Sequence, residues 1–125
     1  MGNNLNFNSS VCTTCEQSKR LLELGLKPET ADMSHQYIEA EWEWFIFPCN
    51  WNSCTISENI IPAWSLHRLI EMCNKTQFWM IISIDNNKVT VDGALFDVFD
   101  NTYDNLISAI ECLIEEGYFN KEYLK

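Results

Sequence analysis

Glycine is scarce: four occur in 125 residues, and none sits in a run that could form the loop of backbone amides that cradles a phosphate. Histidine is scarcer still. With only His35 and His67 as candidate bases, and neither sharing a local motif with a cysteine, nothing in the chain points to cysteine-based nucleophilic catalysis. Positive charge is also in short supply. Eight Lys and Arg stand against 18 Asp and Glu, and the resulting net charge of -10 is shared between the two halves of the chain. Such a field repels phosphate backbones and anionic membranes, and it suits a basic protein partner instead. No apolar run reaches the roughly 18 residues of a membrane helix. Met1 to Asn8 lacks the basic region and apolar stretch of a signal peptide, so a cytoplasmic location is expected. In a reducing compartment the six cysteines are thiols or metal ligands rather than disulfides.

What is present is the pattern of one globular domain. A hydrophobic content of 46% suffices for a single core over residues 12–125, after a flexible arm at residues 1–11 that is rich in Asn and Ser. Thr13 three residues before Glu16 predicts a helix start, and Gly25 a left-handed stop, for a helix over 14–24. Pro28 can open a further helical turn. From Ile38 the period changes to two, with Glu39, Glu41 and Glu43 alternating with Ala40, Trp42 and Trp44 up to Phe47 and Pro48. That alternation predicts a strand with one acidic and one aromatic face. A polar loop and a helix over 63–73 follow. Phe78 to Ile84 is apolar throughout, as in a covered strand. Asp85-Asn86-Asn87 should turn the chain into a returning strand to Asp92, and Gly93 into a third strand through Leu95 to Phe99. Leu106, Ile107, Ile110, Leu113 and Ile114 form one stripe of a helix over 102–116 that stops at Gly117. The expected fold class is α+β: an antiparallel sheet of about four strands packed against two to three helices.

Among chemical constellations, the sharpest is Cys12 and Cys15 together with Cys49 and Cys54. Two close cysteine pairs resemble a four-thiolate zinc site, in which each pair chelates the ion from one loop. The second pair is spaced widely and neither sits in a glycine-bearing knuckle, so no metal or cofactor is expected, and a small Cys-rich zinc protein is the trailing alternative. Glu39, Glu41 and Glu43 would project regularly from one strand face. That makes a solvated row, not an acid and base held in different environments. The aromatic run Trp42, Trp44, Phe45, Phe47 and Trp51 carries the binding expectation. Clustered tryptophans anchor a partner through large area and little entropy loss, although in a small domain the same residues can be core.

Three stretches carry a family resemblance: Cys15-Glu16-Gln17-Ser18-Lys19-Arg20-Leu21-Leu22-Glu23-Leu24-Gly25-Leu26 running into Pro28-Glu29-Thr30-Ala31-Asp32-Met33, then Ile61-Pro62-Ala63-Trp64-Ser65-Leu66, and the ending Leu113-Ile114-Glu115-Glu116-Gly117-Tyr118. In these the chain resembles a family of small proteins of gut Bacteroidales, their phages and mobile elements. The resemblance implies no activity and carries over no catalytic residue. The functional expectation is a non-enzymatic protein-binding or accessory module. An acidic inhibitor that mimics nucleic acid before a host nuclease or defence protein is the alternative. The candidate contact residues are Trp42, Trp44 and Trp51 with Glu39, Glu41 and Glu43.

Overall fold

The computed structural model of the chain describes residues 10–49, 51, 56–74 and 82–125. Its elements run α1 (Cys15–Glu23), β1 (Met33–Ile38), β2 (Glu43–Pro48), β3 (Ile60–Ala63), α2 (Leu66–Asn74), β4 (Ile82–Asp85), β5 (Lys88–Val91), β6 (Ala94–Phe96) and α3 (Thr102–Glu115), with 3-10 turns at Pro28–Thr30 and Lys121–Tyr123. The class is α+β with antiparallel strands against helices, divided into two three-stranded sheets ordered β2-β1-β3 and β4-β5-β6. Most of the expected arm (residues 1–9) and residues 78–81 of the expected covered strand lie outside the described residues.

Local chemistry accounts for the element ends. The capping pair of α1 is Thr14 with Gln17, one residue later than the spacing predicts: the Thr14 hydroxyl accepts from the Gln17 amide, and the Thr14 amide donates to Gln17 Oε1. Thr13 is occupied elsewhere. Its hydroxyl accepts from the Trp64 amide at 3.1 Å, and its own amide donates to the Trp64 carbonyl at 2.9 Å, tying the start of α1 to the segment after β3. Gly25 ends α1 at a φ of 103°, with the Leu26 amide reaching back to Leu21. The chain's last residues dock beside this stop, the Lys27 amide donating to Tyr123 and the Lys125 amide to Gly25.

The second helix begins later than its periodicity predicts, because Ile60–Ala63 pairs with β1 as a strand. Proline in a strand is tolerated here for a specific reason. The Tyr37 amide bonds to the Asn59 carbonyl, so the odd-numbered residues of β1 face β3 and Ser34 faces away. Pro62 stands opposite Ser34, where no amide is required of it. Asp32 then accepts from both the amide and the hydroxyl of Ser65, and that hydroxyl accepts in turn from the Arg68 amide to start α2.

In the second sheet, Asn86 and Asp92 take the positive φ values of 52° and 49° that tight hairpins require. Val89 and Val91 face α3, whose buried stripe includes Leu106, Ile107, Ile110 and Leu113. These residues join Leu21, Leu26, Trp64, Leu69, Met72 and Phe119 in one core that spans all three helices.

Candidate protein-binding surface

The aromatic run divides between two environments. Where the alternation predicts a continuous strand from Ile38 to Phe47, the chain instead reverses: the Glu41 amide donates to the Ile38 carbonyl at 3.0 Å and the Trp42 amide to Glu39 at 3.2 Å. Trp42 closes the turn at a φ of 55°, a left-handed conformation in which a bulky side chain is strained. Glu39 and Glu41 therefore stand on the turn and only Glu43 on a strand, so the three carboxylates surround a hairpin tip and do not form one row. All three are exposed. Trp42 is 84% exposed.

Strand β2 is largely exposed on both faces, with Phe45 partly buried. Trp44 lies beside Tyr37 with ring centroids 5.5 Å apart, and Phe45 lies beside Phe47 on the opposite side at 6.4 Å. Trp44 and Ile46 are 42% and 46% exposed, and Phe47 is exposed as well. A sheet strand ordinarily hides one of its faces. This one fully hides neither, which leaves an apolar ribbon ending in an acidic tip.

Trp51 does not belong to that surface. It is 6% exposed, and its indole N–H donates to the Met33 carbonyl at 3.1 Å, so Trp51, unlike the exposed contact residue expected from the sequence, contributes its area to the core. Trp64 is buried too, with its indole bonded to the Thr30 hydroxyl.

Cys12 is 3% exposed, with its sulfur 3.9 Å from Nε2 of His35. That approach was not visible in the sequence, where 23 residues separate the pair. The same Nε2 lies 2.7 Å from the Thr13 carbonyl, which can only accept, so its proton is committed there and the nitrogen cannot take one from the thiol. Burial pushes the Cys12 thiol up to about 11, and Asp32 and Cys15 add to the effect. Cys15 is raised by burial as well, against the opposing pull of Lys19. A nucleophilic thiol needs the reverse shift. Cys49 follows β2, Cys54 lies outside the described residues, and among the described residues no group of three or more His, Cys, Asp and Glu is placed to hold a metal ion. His67 is exposed on α2.

Two hollows in the surface offer little for small-molecule chemistry. An apolar cavity of about 180 Å³ lies between β5, β6 and α3, lined by Val91, Phe96, Cys112 and Leu113. Ligand sites ordinarily run to roughly 300–1,000 Å³. A wider hollow of about 480 Å³ is lined by Glu29, Asp32 and Arg68, but Asp32 is engaged by Ser65 and Arg68 by Glu71. No helix among the described residues is long and apolar enough to cross a membrane. No family model, curated protein or solved structure matches the chain.

Proposed function

We propose that this protein is a non-enzymatic, cytoplasmic binding or accessory module whose partner is a basic protein, held at the tip of the β1–β2 hairpin. The observation that carries this is Trp42: an indole almost wholly in solvent, in a backbone conformation that disfavours it. The turn itself calls for that backbone, which Gly or Asn would adopt with less strain, so a Trp at this position supports a role for the indole beyond closing the hairpin. Glu39, Glu41 and Glu43 around it draw a cationic surface in, and the indoles of Trp42 and Trp44 supply the apolar contact. The family resemblance adds the setting of a phage or mobile element. A narrower form of the same idea, supported by the net charge of -10, is an inhibitor that fills the basic nucleic-acid channel of a nuclease.

The test is capture of partners from host lysate by the wild-type chain and by Trp42→Ala, with melting measured on both. A basic protein held by the wild type, lost from the variant and shed as salt rises is the expected result. Equal capture by both chains at equal stability would remove the hairpin tip from the binding surface.

A further inference from the structure

We infer that the outer edge of β2 receives a β-strand from the partner, an extended segment in which Lys or Arg alternates with apolar side chains. The inference rests on the protein-binding reading above and specifies the shape and chemistry of what binds. The Cys49 amide donates to the Asp32 carbonyl, which fixes the alternation of the β1–β2 ladder. Even-numbered residues of β1 bond to Glu43, Phe45 and Phe47 of β2, so the amide and carbonyl groups of Trp44 and Ile46 point away from the sheet. Among the described residues no strand pairs with that side. Trp44 and Ile46 thus present both backbone hydrogen-bonding groups and half-exposed apolar side chains on one open edge, the arrangement to which extended peptides add.

Charge decides which strand comes. Residues 28–67, which contain this whole sheet, hold six Asp and Glu and no Lys or Arg. A second copy of the chain would bring that uniform field against itself. Glu43 adds to that repulsion at one end of the edge, while Pro48, which offers no amide, confines the pairing of any added strand to the Trp44 and Ile46 stretch. A basic strand turns Glu43 and the carboxylates of the tip into attractive contacts while its apolar side chains meet Trp44 and Ile46.

The probe is a capped Lys-Val-Lys-Val-Lys-Val-Lys peptide, with two twins N-methylated on alternate residues, one at the Val and one at the Lys positions. The twins keep charge and side chains but lose one set of strand amides each. We expect the parent peptide to perturb the fluorescence of Trp44, with affinity falling as salt rises, and one twin to bind roughly tenfold more weakly. Ile46→Pro, which removes an outward amide, should weaken the parent peptide similarly at unchanged melting temperature. If that variant melts early, the twins against wild type and Trp44→Ala decide the matter. Both twins binding as well as the parent overturns strand addition while leaving a charge-and-indole contact standing. Absence of parent binding also overturns it, and the Trp42→Ala capture result then judges the broader reading separately. A concentration-dependent dimer abolished by Ile46→Pro would overturn it in favour of a second copy.

Discussion

Three tryptophans show how the same side chain serves opposite ends. Trp64 and Trp51 are held in the core with their indole N–H groups bonded, so replacing either with Ala removes a large buried volume and should cost about 3–5 kcal/mol in chemical denaturation. Trp42 should behave in the other direction. Asn accepts its left-handed backbone with less strain, and almost none of the indole is buried, so Trp42→Asn should raise the unfolding free energy by about 1 kcal/mol while weakening the capture of a partner. A loss of stability in that variant would mean that the indole packs against something. At Cys73 the chemistry is that of a buried thiol: burial alone pushes it up to about 12 from an ordinary 9.0. Because the folded state then holds the proton more tightly than the unfolded state, the stabilisation is complete below pH 9 and is lost as pH rises from 9 toward 12. Cys73→Ala should therefore show a shallower fall of melting temperature over that interval than the wild type.

At the scale of elements, α3 was the most legible. Its stripe repeats at three and four residues, and the structure buries Leu106, Ile110 and Leu113 as that stripe predicts. Ile110→Asp should abolish the cooperative melt, as a charge there has no partner within reach of water. Less legible was Asn105, which sits within the same helix as a polar residue and is nevertheless buried. Its side chain accepts from the Phe99 amide and donates to the carbonyls of Phe99 and Asn87, clamping the β4–β5 turn and the segment before α3 onto the helix. Asn105→Ala would strand several backbone groups and should cost about 2–3 kcal/mol. Such a residue carries no periodic signal, because its partners come from elements that are distant in sequence. The β1–β2 hairpin is hidden in the sequence for a related reason. Its turn contains no Gly, Pro or Asn, and the alternation of Glu with Trp continues across it, so the pattern reads as one strand where the backbone makes two. The candidate contact residues were accordingly half legible: Trp42 and Trp44 stand on the surface, whereas Trp51 needed knowledge of what folds over it.

For the whole molecule the dominant quantity is charge. A net -10 on 125 residues opposes compaction by self-repulsion, and salt weakens that repulsion over a length of roughly 10 Å at 0.1 M. Only two ion pairs occur among the described residues, Arg20 with Glu111 and Arg68 with Glu71, and their side chains are partly exposed, so little favourable pairing is lost in exchange. Raising NaCl from about 50 to about 500 mM should therefore raise the melting temperature. Binding should move the opposite way. On the proposed function, a basic partner at Glu39, Glu41 and Glu43 should dissociate more readily as the same salt screens the attraction, and replacing the three with Gln should slow association more than it speeds release. Trp44→Ala should do the reverse, because the indole contributes contact and not long-range attraction. One salt series on one protein thus carries two slopes of opposite sign. A fold that weakens with salt would show that the two ion pairs outweigh the repulsion, and tight duplex-DNA binding that salt disrupts would show a cationic face that this distribution of residues does not provide.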